Sequence, residues 1–199
     1  SGYDATGLCR LHRRGVRVET ALNMSIVPDP KYAMPVEPAA RRVALGVGWP
    51  VGEGWRYLSE LRREDDYDVS VEVSEQGRRV RVAVRYSGAS GHVGPDGRVI
   101  ETCTLSERGL HYAAQVPGAD RVRLQVPVIE TDGATRSRVR MLAGGVLVSY
   151  AGHQYRVTLD GPPLATFIED WPAPNRNGIY RVVVLEASGS CIGCEATLT

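Results

Sequence analysis

The chain has 199 residues, of which 43% are hydrophobic and 24% are charged, and its formal net charge is +1. This composition excludes a disordered chain, a collagen and a disulfide-dense mini-protein, and a chain of this length buries roughly 70% of its unfolded surface. The near-zero charge argues against nucleic acid as a partner, and the lack of any apolar run of bilayer length argues against a membrane.

Alternating apolar residues predict β-strands along most of the chain. No segment longer than one or two turns keeps a helical period, except residues 55–64, where Trp55, Leu58 and Leu61 recur three apart and predict a short helix. Turn-forming residues such as glycine and proline separate the alternating apolar segments, which is typical of an antiparallel sandwich. The clearest predicted strands are residues 16–26, 67–73, 80–86, 122–129, 139–142, 146–150, 155–159 and 179–187.

The pattern of apolar and charged residues predicts a hairpin between residues 67 and 86. A two-residue turn at Gln76-Gly77 places apolar residues opposite one another on one face and opposite charges on the other. The apolar pairs are Val73 with Val80, Val71 with Val82, Val69 with Val84 and Tyr67 with Tyr86, and the charged pairs are Glu72 with Arg81 and Asp68 with Arg85. Such cross-strand pairs contribute roughly 0.2 to 1 kcal/mol each.

Three further turns extend the same argument. A turn at Arg108-Gly109 pairs Leu105 with Tyr112 and Cys103 with Ala114, and leaves His111 on the opposite face. A turn at Gly144-Gly145 pairs Met141 with Val148 and Val139 with Tyr150. A turn at Ala151-Gly152 pairs Val148 with Tyr155 and Val146 with Val157, which completes a three-stranded meander.

Together these runs predict an all-β fold. We expect about eleven or twelve strands in a large antiparallel β-sandwich with little or no helix, formed by residues 1–199 as a single domain. Residues 87–97 and 160–163 are the expected places where the chain changes sheet. Because the chain opens on Ser1 rather than Met, we expect it to be excised from a longer protein.

Arginine supplies nearly all of the positive charge, since Lys31 is the only lysine. Arg136, Arg138 and Arg140 alternate along one predicted strand, with Arg156 on a neighbouring strand and Arg121 and Arg123 in another run. The planar guanidinium group suits bidentate contact with a carboxylate or sulfate, so one arginine-rich sheet face predicts binding of an acidic polysaccharide. Alternatively, these arginines solvate an exposed face and pair with carboxylates across strands.

The three tryptophans are further candidates for substrate binding. Trp49, Trp55 and Trp171 lie in Gly/Pro-bearing contexts that read as loops rather than strand centres. Their rings suit stacking on the apolar face of a sugar, or alternatively plugging the ends of a sandwich.

Four potential zinc ligands lie near the two ends of the sequence. Cys9 and His12 are spaced like a zinc knuckle, as are Cys191 and Cys194. Cys191 and Cys194 are also compatible with a strained disulfide or with free thiols. We expect no cofactor, because the other histidines form no ligand pair and no phosphate-binding or dinucleotide-binding motif is present.

Three short segments resemble a known family. TGLCRLHRRGV from residue 6, VPVIETDG from Val126 to Gly133 and NRNGIYR from Asn175 to Arg181 resemble the C-terminal β-sheet (super-sandwich) domain of heparinase II/III-like polysaccharide lyases. The resemblance implies a missing N-terminal helical domain, a cleft between the two domains, and a uronate-containing polysaccharide as substrate. It assigns no catalytic residue in this chain, and it implies secretion or a periplasmic location through the parent protein.

Three functions follow as hypotheses. The first is a non-catalytic or partly catalytic domain that frames or binds an acidic polysaccharide for a lyase. The second is a structural module that packs against another domain of its parent protein. The third is a free-standing glycan-active hydrolase or lyase that uses the carboxylate pairs Asp65-Asp66 or Glu169-Asp170.

Overall fold

The computed structural model shows two antiparallel β-sheets packed face to face. It describes residues 12–13, 16–17, 45–58, 66–73, 79–107, 109–128, 137–150, 153–172 and 179–198. Within these ranges there is no α-helix, and hence no helix that spans a membrane. The expected all-β sandwich is confirmed.

Fifteen strands occur in the described ranges. In chain order they are β1 (His12–Arg13), β2 (Val16–Arg17), β3 (Gly46–Val51), β4 (Gly54–Tyr57), β5 (Asp66–Val73), β6 (Arg79–Ser87), β7 (Arg98–Ser106), β8 (Gly109–Gln115), β9 (Arg121–Val128), β10 (Arg138–Leu142), β11 (Gly145–Tyr150), β12 (His153–Leu159), β13 (Ala165–Pro172), β14 (Ile179–Ser188) and β15 (Cys191–Leu198).

The sandwich consists of an eight-stranded and a five-stranded sheet. The larger sheet has the order β10-β11-β12-β15-β8-β7-β6-β5, and the smaller has the order β13-β14-β9-β3-β4. In the larger sheet β5 to β8 and β10 to β12 are two meanders, and β15 lies between them, paired with β12 on one side and β8 on the other. The separate pair β1-β2 is antiparallel.

The hydrophobic core lies between the two sheets. Val47 and Trp49 of β3 and Leu124 of β9 contribute from the smaller sheet, and Tyr112 and Val157 contribute from the larger one. All five are at most 1% exposed. Because strand side chains alternate between faces, each sheet also has an outer face that carries the other half of its residues.

The predicted hairpin between residues 67 and 86 is confirmed. β5 and β6 pair in the predicted register, with Tyr67 opposite Tyr86 and Glu72 opposite Arg81. The turn residues Gln76-Gly77 lie outside the described residues. The register predicted around Ala151-Gly152 is confirmed as well, with Val148 opposite Tyr155.

Two other predicted registers are wrong by two residues. Leu105 pairs with Leu110 rather than Tyr112, and Met141 pairs with Val146 rather than Val148. Gly144 does lie in a turn, but Gly109 and Gly145 begin strands β8 and β11, where a neighbouring backbone approaches closely. A Cβ on Gly109 would collide with the carbonyl oxygen of Ala196, and one on Gly145 would collide with that of Val157. A two-residue slip keeps every side chain on its predicted face.

Three local expectations also need correction. Trp55 lies in strand β4 rather than in a helix, and residues 59–64 of that predicted helix are outside the described ranges. Residues 88–97 do not change sheet, because the Gly88 N–H donates to the Gly97 carbonyl at 3.0 Å and the loop returns the chain to the neighbouring strand. Residues 160–163 do lead from the larger sheet to the smaller one, as predicted.

A buried hydrogen-bond network joins the two sheets. The Val47 N–H of the smaller sheet donates to the Tyr112 hydroxyl of the larger sheet at 3.1 Å. Tyr112 in turn donates to Glu101 Oε2 at 3.1 Å, and the Tyr86 hydroxyl donates to Glu101 Oε1 at 2.7 Å. Glu101 is only 4% exposed, so this carboxyl group belongs to the core.

Two substitutions test how much the buried hydrogen-bond network of Glu101 contributes to the free energy of unfolding. Glu101→Ala leaves two buried tyrosine hydroxyls without their acceptor and creates a cavity, so we expect the free energy of unfolding to fall by about 2 to 5 kcal/mol. Glu101→Gln keeps the side-chain shape and one carbonyl oxygen, so we expect a clearly smaller loss near neutral pH. Urea denaturation monitored by tryptophan fluorescence measures both. Equal losses for the two variants would contradict a role in hydrogen bonding.

The same residue predicts a pH dependence of stability. Burial raises the pKa of Glu101 above its usual 4.5, and the hydrogen bonds from Tyr86 and Tyr112 offset this only in part. The folded state therefore retains the proton to higher pH than the unfolded chain, and the free energy of unfolding is expected to fall as pH rises from 4.5 through the raised pKa. Denaturation at several pH values should show the Gln variant gaining stability relative to the wild type over that interval. A constant difference between the two proteins would contradict this prediction.

Candidate functional site

Three arginines from the sequence analysis lie on the outer face of the larger sheet. Arg138 and Arg140 are on β10, and Arg156 is on β12. The register places Leu147 of β11 directly between Arg140 and Arg156. All three arginines are exposed, whereas Leu147 is only 8% exposed. We call these three arginines the arginine row.

Strand geometry sets the spacing of the arginine row. Arg140 and Arg156 are two strands apart, which corresponds to roughly 10 Å between their backbones. Arg138 and Arg140 are two residues apart on one strand, which corresponds to roughly 7 Å. The alternation that turns these arginines outward turns Val139 toward the core, where it packs as a partly buried residue.

The arginine row is not neutralised by the described residues. Among the described residues, the ion pairs of His111, Arg121 and Arg123 do not include Arg138, Arg140 or Arg156. These three arginines share one exposed face, and their predicted role in binding stays a prediction. Arg136, the fourth member of the predicted set, lies outside the described residues.

The tryptophans do not join the arginine row. Trp49 is 0% exposed on the inner face of β3, so it has no surface on which a sugar can stack, and its predicted binding role is wrong. Trp171 lies in β13, and only its backbone is described. All three tryptophans are strand residues, so the expectation that they lie in loops is also corrected.

Trp55 instead lies in a cluster on the smaller sheet. The guanidinium carbon of Arg123 is 3.9 Å from the Trp55 ring centroid and 4.9 Å from that of Phe167. Arg121 is 5.6 Å from the Trp55 ring. Glu186 accepts a hydrogen bond from Arg123 Nε at 2.8 Å and one from Arg121 Nη1 at 3.2 Å. We call these five residues the stacked clamp.

The charged and aromatic groups of the stacked clamp contact one another. Its central guanidinium lies against two aromatic rings and a carboxylate whose side chain is 8% exposed. These contacts join β4, β9, β13 and β14 across the face of the smaller sheet. The arrangement indicates a structural role for Trp55, Arg121 and Arg123 rather than the sugar platform that the sequence suggested.

The cysteines do not form the predicted zinc site. Cys191 is exposed on the outer face of β15, while Cys194 is 0% exposed on its inner face, because residues three apart on a strand point in opposite directions. The two sulfurs therefore cannot share a metal ion or form a disulfide with each other. Cys9 lies outside the described residues, and only the backbone of His12 is described. Among the described residues no three His, Cys, Asp or Glu side chains form a metal-binding group.

The thiols of Cys103, which is partly buried, and Cys194, which is buried, are poorly reactive. Burial raises the pKa of Cys103 to about 12, with the nearby Glu101 adding to the effect. Burial likewise raises the pKa of Cys194, with a further contribution from Asp160. Since the thiolate is the reactive form of cysteine, neither residue is suited to nucleophilic chemistry.

The two candidate carboxylate pairs belong to different sheets. Asp66 begins β5 in the larger sheet, whereas Glu169 and Asp170 lie in β13 of the smaller sheet. Asp65 lies outside the described residues. We assign no catalytic residue to either pair.

Two polar features were missed by the sequence analysis. Glu101 faces the core between Val99 and Cys103, and its inward position was visible from the alternation of that strand. His111 Nε2 lies 3.1 Å from Asp160 Oδ2 on the outer face of the larger sheet. This pair depends on β15 separating β8 from β12, and no local sequence pattern signals that order.

Neither a family model nor a curated protein matches the sequence. The resemblance to the heparinase II/III-like β-domain therefore remains a prediction.

We expect the stacked clamp to contribute to the free energy of unfolding. Arg123→Lys keeps the positive charge near Glu186 but removes the planar group that lies on the Trp55 and Phe167 rings, so we expect a loss of about 0.5 to 2 kcal/mol in the free energy of unfolding. Arg121→Lys is the matched control, since Arg121 is half exposed and farther from the ring, and we expect a smaller loss. Thermal denaturation of both variants measures the difference, and an equal or larger loss for Arg121→Lys would contradict the assignment.

Proposed function

We propose that this sandwich is the non-catalytic or partly catalytic β-domain of a polysaccharide-lyase-like protein, and that its arginine row binds an acidic, uronate-containing polysaccharide. The observation that supports this most is the arginine row itself. Three exposed guanidinium groups occupy one face and have no carboxylate partner among the described residues.

The chemistry of arginine suits such a ligand. Each guanidinium group presents a planar set of N–H donors that matches a carboxylate or a sulfate in bidentate geometry. The buried Leu147 supports this arrangement, because the aliphatic stems of Arg140 and Arg156 flank it on the same face. A sheet also presents the three groups at fixed backbone spacing, so a polymer with regularly repeated anionic groups engages several of them at once.

The proposed role is binding rather than catalysis. No catalytic residue is assigned in the described chain, and we expect the isolated chain to be inactive. In this proposal the lyase chemistry belongs to the part of the parent protein that the resemblance implies, and the sandwich frames or positions the polysaccharide.

A second function has one observation in its favour. β10 is an edge strand of the larger sheet, and Met141 on this strand is 39% exposed although Val139, on the same face of the strand, packs against the core. Charged residues on an edge strand discourage unwanted strand pairing, and an exposed methionine there is compatible with a covering domain. The arginine row would then serve inter-domain packing, and it would bind no polysaccharide.

Polysaccharide binding at two salt concentrations separates these functions. The probes are polygalacturonate, alginate and heparin, with neutral dextran as the comparison polymer. We expect the acidic polymers to bind and the affinity to fall at the higher salt concentration, because exposed charges are screened. Arg140→Ala and Arg156→Ala are each expected to weaken binding about two- to fivefold.

The matched control is Arg98→Ala. Arg98 is an exposed arginine on the same sheet, but it lies on β7, five strands from β10, which is roughly 24 Å away. Its substitution removes the same net charge and is expected to change the affinity little. Equal effects of all three substitutions would indicate a general charge effect, and no binding by the wild type would favour the packing function.

A further inference from the structure

A groove lies on the larger sheet at the end where residues 160–162 leave it for the smaller sheet, and Ala187 and Ser188 of β14 also line it. It has a volume of about 600 Å³, within the range of small-molecule sites. Its floor is formed by β7, β8 and β15, and one wall is formed by residues 160–162. Thr102, Ala113, Gln115, Asp160, Pro162 and Gly193 are the lining residues that bear on its chemistry.

Small residues form the middle of the groove floor. Ala113 and Gly193 are register partners on β8 and β15, and Thr102 is the partner of Ala113 on β7. A Cβ on Gly193 would collide with the Asp160 carboxylate, so only glycine at this position lets that carboxylate lie over the floor. The groove therefore combines an open, small-residue base with one charged group held above it.

Asp160 is held in place from two sides. Its backbone N–H donates to the Gly193 carbonyl at 2.9 Å, and its side chain meets His111 Nε2 at 3.1 Å through Oδ2. With Oδ2 engaged, Oδ1 remains available as an acceptor for a bound molecule. A carboxylate that is fixed in this way loses little conformational freedom when a ligand binds.

The polar groups of the groove match hydroxyl groups. Asp160 accepts hydrogen bonds, the Gln115 amide both donates and accepts, and the Thr102 hydroxyl does the same. The ring of Pro162 adds an apolar surface beside them. Adjacent hydroxyls on a sugar are both donors and acceptors, and the ring carbons between them present an apolar face, so a sugar unit satisfies both kinds of surface.

The charge of the groove selects among sugars. No Lys or Arg is among its lining residues, and Asp160 places a negative charge at its wall. An anionic sugar would be repelled by this carboxylate. The preferred sugar is therefore neutral, in contrast to the anionic ligand proposed for the arginine row.

We propose that this groove is a binding site for a neutral sugar residue, with Asp160 as its main hydrogen-bond acceptor and Gly193 as the residue that makes room for that carboxylate. This inference stands on the groove and its lining residues and does not depend on the arginine row.

Titration of the whole chain with neutral oligosaccharides tests the proposal. The probes are oligosaccharides of glucose, galactose, mannose and N-acetylglucosamine, and the readout is the shift of backbone amide signals in two-dimensional NMR spectra. We expect at least one probe to shift the amides of Thr102, Ala113 and Gly193 with little dependence on salt. Asp160→Asn keeps the side-chain shape and is expected to weaken this binding about fivefold.

Two further variants test whether the neutral sugar binds at the groove. Gly193→Ala displaces the Asp160 carboxylate and is expected to weaken the same titration. Glu195→Gln is the matched control, because Glu195 is exposed on the same strand and pairs with His111 in the register but does not line the groove. It is expected to leave the affinity unchanged.

The outcomes separate this proposal from the earlier one. If no neutral probe shifts the groove amides at millimolar concentration, or if Asp160→Asn leaves the affinity unchanged, the groove proposal is overturned. Tighter binding of a uronate oligosaccharide to Asp160→Asn than of any neutral probe to the wild type would overturn the assignment of a neutral ligand. Arg140→Ala is expected to leave the neutral titration intact, so failure of acidic-polymer binding does not affect this result.

Discussion

The hydrogen bond from the Val47 amide to the Tyr112 hydroxyl joins the two sheets of this sandwich at particular atoms. Apolar contacts alone permit sliding between sheets, because the hydrophobic effect has no direction. A hydrogen bond requires particular atoms to meet, and this one continues through Tyr112 to the buried Glu101. Burial also raises the pKa of Tyr112, so its hydroxyl keeps its proton and remains a donor. A polar network inside an otherwise apolar core thus favours the one alignment of the sheets in which these atoms meet.

The two outer faces show how the surroundings of a side chain determine its role. On the smaller sheet, Arg123 lies between two rings and a shielded carboxylate, so its guanidinium is committed to the fold. On the larger sheet, Arg140 and Arg156 are exposed beside a buried leucine, and no described residue forms an ion pair with them. Residue type therefore identified the candidates, whereas the distribution of nearby carboxylates and rings separates the structural arginines from those available to a ligand.

The sequence predicts those parts of the fold in which the contacting residues are close together along the chain. The hairpin of β5 and β6 was predictable because apolar pairs and opposite charges select a single register within twenty residues. The registers near Gly109 and Gly145 were misjudged because these glycines serve close approach of another strand rather than a turn. Trp49 was misplaced for a related reason, since glycines and a proline beside it suggested a loop although it lies in a core strand. The pairing of His111 with Asp160 requires the order of three strands, which is a property of the whole sheet.

The central position of β15 has a consequence for biosynthesis. The meanders β5 to β8 and β10 to β12 each form from neighbouring segments, but they join into one sheet only through β15, which follows both in the chain. Until that strand leaves the ribosome, β8 and β12 each have an unpaired edge, and such edges are where partly folded chains recruit one another. Completion of the sheet also requires contacts distant in sequence, which slows folding. The nascent sheet is therefore most exposed to misassembly just before β15 is translated.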